Sequence, residues 1–413
     1  MGGGITYPDL VSAVEETAAA IRQTTRLLPA GGPQGKVFPP TYEGGKYAYE
    51  ERLVDGNIMK TVLLDSVQSQ ANRLEQALLG ACKEGRISFP LISIRFGGIK
   101  ELLNLGLEEL TSLDVPHRAA DATILYSLLG DKEFRESAEG KALESASVRN
   151  STALFEHSPT SLIFGQWLSH GARGGLGNKF PRSVVSEIVG YNAVEGIRVG
   201  GRIDPLPISA KIPVYTKADG EWTLDEKEKE GFNQGKKKEE DKYKAERASN
   251  IGLGNVPPSF KDKNGEKLVW GVAVHDAEQV GVLSLIAQRR LRFPVGGKES
   301  REINRAARVV LASLALCAMS LQTEQGFDLR SRCLLIPEGG AKWEVIPRDG
   351  SAPTEFSLAP SEAFGMFEKA VNEAKGFGLP WRTEPLVLTP SEKLIELIRR
   401  SIQIQTGEGI EVE

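Results

Sequence analysis

Apolar residues recur at helical spacing in LLDSVQSQANRLEQALLG: Val67, Ala71, Leu74 and Leu78 fall at i, i+4, i+7 and i+11, the stripe a helix needs to lie on a sheet. The opposite face holds Ser69, Asn72, Arg73 and Gln76, small hydrogen-bonding groups with one guanidinium. Immediately upstream, Asp55-Gly56 sits between two apolar segments. That is the strongest short-range hairpin signal, and it predicts strands over about 51–54 and 58–64 that lead into the helix.

The same patterning predicts the other elements. Leu10, Val14, Ala18 and Ile21 give residues 8–29 a helical stripe that ends at Pro29. Residues 87–96 read as a strand, and HRAADATILYSLL as helix. KLVWGVAV reads as a strand, GVLSLIAQRRLRF as a helix, and Ser300 caps a longer helix with Ile303, Ala307, Val310, Leu314, Cys317 and Leu321 buried. SRCLLIP gives another strand, and the tail from 355 is mainly helical. The predicted fold is α+β, a largely antiparallel sheet covered on one face by helices.

Between 217 and 264 the composition shifts to a charged insertion, EWTLDEKEKEGFNQGKKKEEDKYKAER followed by ASNIGLGNVPPSFKDKNGE, too poor in large apolar groups for a core of its own. It is expected to be mobile or helical. The whole chain of 413 residues carries 51 basic and 55 acidic side chains, so any polyanion site must be local. Cys82, Cys317 and Cys333 have no paired spacing, which predicts reduced thiols and neither disulfides nor a zinc cluster. The most apolar run, 309–321, is short for a membrane span and reads as a core helix, so a cytoplasmic protein with no membrane partner is expected.

Catalytic signatures are sparse. The histidines are His117, His157, His170 and His275, without H-E-x-x-H, G-x-S-x-G or C-x-x-C. No cofactor is indicated: SHGARGGLGNKFPR and NIGLGN do not match a P-loop or dinucleotide fingerprint. Glycines beside Arg173, Lys179 and Arg182 do allow backbone N–H groups to approach phosphate oxygens. Phe164, Trp167 and Phe180 interleave with these cations, a composition suited to single-stranded nucleic acid and equally to core packing. Arg301, Arg305 and Arg308 share one side of their helix, with Arg289, Arg290 and Arg292 nearby. Those six could form a solvated face, pair with acidic neighbours, or meet RNA or a partner.

Taken in order, PPTYEGGKYA, LLDSVQSQANRLE, SLIFGQWLSHG, FPRSVVSEIVG, GRIDPL and LRSRCLLIPE resemble the Csb-type backbone protein of type I-G (formerly I-U) CRISPR effector complexes, in the Cas-seven branch of the RAMP superfamily. The resemblance implies a ferredoxin-like, RRM-type palm with finger and thumb insertions. On that pattern, residues 1–30 form an N-terminal helix, 31–216 and 265–345 the palm, 217–264 a thumb-like or disordered insertion, and 346–413 a mostly helical tail. It also implies a non-enzymatic subunit present in several copies that binds guide crRNA and presents it to the target DNA strand. Its other partners would be a large subunit, a Cas-five/Cas-six-type subunit and a separate nuclease-helicase. The residues expected along the RNA are Ser69, Asn72, Arg73, Gln166, Trp167, Arg173, Lys179, Arg182, Ser183, Ser186, Arg202, Asn250 and Asn255, with contacts to phosphates and 2′-hydroxyls that leave base edges free. The rival expectation is a RAMP-type endoribonuclease using His117 or His170 as acid/base.

Overall fold

The structure is a computed structural model that describes residues 3–32, 35–54, 56–103, 106–168, 179–197, 200–209, 212–217, 220–233, 242–259 and 269–406. It divides into two compact units, one of residues 1–193 with 273–399 and one of residues 194–272 with 400–413.

The larger unit is organised by an antiparallel sheet. Its strands are β1 (Ala18–Pro29), β2 (Tyr49–Val54), β3 (Asn57–Asp65), β4 (Val184–Tyr191), β5 (Asp276–Ser284), β6 (Leu334–Pro337) and β7 (Lys342–Pro347). β1 is central: it pairs with β5 on one side and with β6 and β7 on the other, and the sheet continues from β5 through β4 and β3 to β2. Its long helices include α1 (Val67–Lys83) between β3 and β4, α2 (Arg301–Gln325) between β5 and β6, and a helix over Pro360–Gly376 that packs on α2.

The predicted hairpin forms as β2 and β3, in register from Tyr49–Val62 to Val54–Asn57, and Gly56 adopts the positive φ of 79° that such a turn demands. The α1 helix begins where Ser66 accepts a hydrogen bond from the Ser69 N–H, and it buries Ala71, Leu74 and Leu78. Leu74 is 1% exposed, so truncation to Ala would cost about 2–5 kcal/mol. The α2 helix starts on the Ser300 cap and runs 25 residues through the core. Its length and hydropathy would suit a membrane span, yet 89% of its most apolar window is buried inside this fold. The three cysteines are free thiols, with Cys317 and Cys333 buried.

Three expectations are corrected. HRAADATILYSLL is not a continuous helix but a 3-10 turn over Arg118–Ala120, a short helix over Ala122–Leu125 and a strand over Leu128–Leu129. Residues 8–29 are not one helix: a helical turn over Tyr7–Ser12 and a π-turn over Ala13–Thr17 give way to strand β1. Arg289 braces the break by donating to the carbonyls of Ala13, Val14, Glu15 and Ala18, of which Ala13 also accepts the Ala18 N–H that closes the π-turn. Likewise GVLSLIAQRRLRF is strand β5 as far as Ser284, followed by a short helix over Leu285–Gln288. In both strands the inward positions include polar or small residues, Gln23 and Thr25 in β1, Gln279 and Gly281 in β5. Their partners come from the covering helices: Gln23 donates to Thr323 at 2.7 Å, and Gln279 donates to Gln322 at 2.6 Å and to Gln70 at 2.9 Å.

The smaller unit consists of short strands, with Pro213–Thr216 paired to Trp222–Thr223 and to Lys244–Arg247, Gly200–Arg202 paired to Val256–Ser259, and a helix over Glu226–Asn233. The charged insertion expected at 217–264 falls within it. Within the insertion Tyr243 and Ala248 are buried and Glu226–Asn233 is helical, while Val214 and Tyr215 just before it are buried as well.

Candidate nucleic-acid interface

The exposed side of α1 forms one wall of an open cleft of about 570 Å³ in the larger unit. Gln68, Asn72 and Gln76 stand one helical turn apart along that wall. The opposite wall is Gly165–Trp167 and Lys179–Arg182, and the floor is the loop Leu113–Arg118. Gln166–Trp167 and Lys179–Phe180 pair antiparallel, so the FGQW and KFPR motifs meet as the two sides of one hairpin stem.

On that stem Trp167 is 57% exposed, and the Lys179 Nζ lies 5.5 Å from its ring centre. Arg182 stays open to solvent. Partial burial and the neighbouring Arg118 cation both push the Arg182 pKa down, with Glu75 opposing them. A flat aromatic surface with two cations beside it and amide side chains across from it can stack a base while holding the attached phosphate.

The cleft has a rigid base. Arg118 is buried and grips Glu75 bidentately, at 2.6 and 2.7 Å, while a third donor reaches the Gly165 carbonyl at 2.9 Å. Its backbone adopts φ 53°, uncommon for a residue with a Cβ and held here by those side-chain bonds. Burial pushes the Glu75 carboxyl up, to about 7, against the pull of Arg118. Gly165 has φ +82°, and a Cβ there would come within 3.0 Å of the Phe180 carbonyl oxygen and 3.1 Å of the Arg182 backbone nitrogen. Only glycine fits the crossing point of the two motifs.

Of the thirteen residues expected along RNA, the structure brings Asn72, Gln166, Trp167, Lys179 and Arg182 into this cleft. Gln166 is buried there, at 6% exposure. Of the others, those described lie outside the cleft. Arg73 binds Asp65 at 2.9 Å and donates to the Asp328 and Leu329 carbonyls, and Ser69 donates to the same Asp65 at 2.8 Å. Ser183 is buried against the Leu162 and Ile163 carbonyls, and Ser186 is buried against Gln70. Ser69, Arg73 and Ser186 turn inward where α1 meets Asp65 and β4, and Ser183 where the Pro159–Phe164 helix meets the start of β4. Arg202, Asn250 and Asn255 belong to the smaller unit, where Arg202 donates twice to the Gly254 carbonyl and Asn255 accepts from the Asp204 N–H. Arg173 and His170 lie outside the described residues.

Several arginines of α2 and its neighbour meet partners within the chain, with Arg301 still 65% exposed. Arg301 pairs with Glu15 and Glu16, Arg305 with Glu15 and Glu373, Arg292 with Glu299, and Arg308 donates to the Leu291 carbonyl. Acidic neighbours, among the three possibilities, together with one carbonyl, account for these four. Gln68 and Arg118 were not anticipated from the sequence. Gln68 was legible as the residue four before Asn72, whereas nothing local in HRAAD marks Arg118 as a buried clamp.

Residues 21–195 match the family model described as CRISPR-associated protein GSU0053 (Cas_GSU0053). Over that stretch the chain resembles a CRISPR-associated protein family. The matched stretch contains every residue lining the cleft. No curated protein matches the chain. A solved structure, the crystal structure of Thermofilum pendens Csc2, aligns over 92% of this chain and 82% of its own at 11% identity, with a TM-score of 0.28. At that value the alignment carries no statement about the fold, which rests on the strand order given above.

Proposed function

We propose that this chain is a non-catalytic backbone subunit of a type I CRISPR effector complex, of the Csb kind in the Cas-seven branch, and that its cleft grips guide crRNA without reading its sequence. The match to a CRISPR-associated family supports the setting. The topology supports the palm: β1, α1, β4, β5, α2 and β7 follow one another as β-α-β-β-α-β, and the four strands lie in the sheet in the order fourth, first, third, second, the arrangement of a ferredoxin-like domain. On this reading the β2–β3 hairpin and the smaller unit are its insertions.

One observation carries the RNA reading. Trp167 is exposed beside Lys179 and Arg182, facing Asn72 across an open cleft of a chain whose net charge is −4. Cations left facing water on an acidic protein, next to an unburied indole, fit a stacked base and a phosphate. Amide side chains suit ribose hydroxyls and phosphate oxygens, which leaves base edges available for target DNA. The partners on this reading are further copies of the chain, a large subunit, a Cas-five/Cas-six-type subunit and a separate nuclease-helicase, in the cytoplasm.

Co-expression with a CRISPR array tests this. The account predicts a purified particle larger than the 44.9 kDa chain, with the ultraviolet ratio of a ribonucleoprotein. A nucleic-acid-free monomer would overturn it. The endoribonuclease alternative retains one favourable observation, the exposed His117 in the same cleft. Loss of precursor cleavage in His117→Ala would select it over the binding role.

A further inference from the structure

A second, smaller cleft adjoins the first, and Gln166 lines both. Its wall carries Tyr126 and Arg135. Tyr126 is 47% exposed, and the Arg135 guanidinium lies 5.4 Å from its ring centre, so this pair repeats the aromatic–cation arrangement of Trp167 and Lys179. We propose that Tyr126 and Arg135 form a second stacking platform for the same single-stranded RNA, continuous with the Trp167 platform past Gln166. This inference rests on the RNA-binding reading of the first cleft and extends its path.

The fold holds the second pair as firmly as the first. The floor loop of the first cleft runs from Arg118 straight into the turn that carries Tyr126, and Asp121 ties the two together by accepting from the His117 and Thr123 N–H groups. Ser127 then donates to the Thr123 carbonyl at 2.7 Å, while its own carbonyl accepts from Phe134 N–H at 2.7 Å, which fixes Tyr126 next to the short turn bearing Arg135. Phe134 anchors that turn in the core at 0% exposure. An exposed ring on so constrained a backbone loses little conformational freedom when a base stacks on it. Gln166, which lines both clefts, has a buried Oε1 with no hydrogen-bond donor among the described residues.

The chemistry favours RNA over an apolar peptide. Arg135 and Lys179 put a cation beside each ring, and stacking tolerates every base. Each platform would then hold a nucleotide without selecting its letter.

The test is equilibrium binding of the full chain to oligouridylates of increasing length, with Tyr126→Ala, Tyr126→Phe and Trp167→Ala beside the wild type. Tyr126→Ala is expected to bind long oligouridylates about tenfold more weakly while matching the wild type on the shortest ones, and Tyr126→Phe, which keeps the ring, is expected to bind like the wild type. Tyr126→Ala matching the wild type at every length while Trp167→Ala weakens binding would overturn the second platform and leave the first cleft standing. Undiminished binding in both alanine variants would overturn the cleft reading and this inference together.

Discussion

Arg73 Nε donates to Asp65 at 2.9 Å, and the carboxylate it meets is 0% exposed. Asp65 also accepts from Ser69, from Gln70 at 2.6 Å and from Arg330 at 3.1 Å, while Arg330 reaches the Leu64 carbonyl at 2.8 Å. The LLDSVQSQANRLE and LRSRCLLIPE motifs are therefore two halves of one buried hub, which ties the end of β3 to α1 and to the turn before β6. Replacing Asp65 by Ala leaves two guanidiniums facing an empty site and is expected to cost about 3–5 kcal/mol of stability. Arg73→Ala, with Arg330 still in place, is expected to cost about 1–3 kcal/mol and to leave RNA affinity within about twofold. Chemical denaturation and a binding titration on the same samples check both halves.

Gly165 makes a sharper demand. Its φ of +82° and the 3.0 Å approach to the Phe180 carbonyl mean that Gly165→Ala must push the Lys179–Phe180 strand away from Gln166–Trp167. Expected outcomes are a destabilisation of about 1–3 kcal/mol and RNA binding reduced more than in Lys179→Ala alone. Normal binding by a folded Gly165→Ala protein would show that the stem does not set the platform.

Glu75 supplies a pH dependence. Burial raises its folded-state pKa from the ordinary 4.5 to about 7, with Arg118 pulling the other way. A carboxyl whose folded pKa is raised contributes stability that is full below about 4.5 and lost as pH rises toward about 7. Wild-type stability is therefore expected to fall, relative to Glu75→Gln, between those two values and to level off above them. A gain over the same interval would mean that the Arg118 pair outweighs burial.

The arginines of α2 give a negative control. Arg305 lies 3.1 Å from Glu373 and also pairs with Glu15, so Arg305→Gln is expected to lower the melting temperature without changing RNA affinity. A filter-binding assay showing weaker RNA retention would place this helix on the RNA path after all.

How much of this was legible depends on where polar residues sit. The β2–β3 hairpin and helices α1 and α2 declare themselves, because Asp55-Gly56, Ser66 and Ser300 act locally and the apolar stripes face a core made of apolar groups. β1 and β5 do not. Their inward rows contain Gln23, Thr25, Gln279 and Gly281, and the partners of Gln23 and Gln279 lie on α1 and α2 far along the chain, so the alternation of a strand is hidden. Gly281 shows the reason most plainly: a Cβ there would come within 2.9 Å of Met319 in α2. The site divides in the same way. Asn72, Trp167, Lys179 and Arg182 were readable because exposed polar and aromatic residues at helical spacing or in a glycine-rich hairpin need little tertiary context. Arg73, Ser183 and Ser186 look the same in sequence, and only tertiary packing turns them inward, α1 against β4 and the turn before β6 for Arg73 and Ser186, the Pro159–Phe164 helix for Ser183.

The central claim is that Lys179 and Arg182 neutralise RNA phosphates at the Trp167 platform. The most direct measurement is the affinity of the full chain for a single-stranded RNA across a range of salt concentrations, wild type against the Lys179→Ala/Arg182→Ala double variant. Removing one cation that neutralises a phosphate lowers the slope of log K against log salt by about 0.7, so the double variant is expected to show a slope shallower by about 1.4, with the same change for unrelated RNA sequences. Equal slopes in the two proteins, or weakened binding confined to one sequence, would contradict the account.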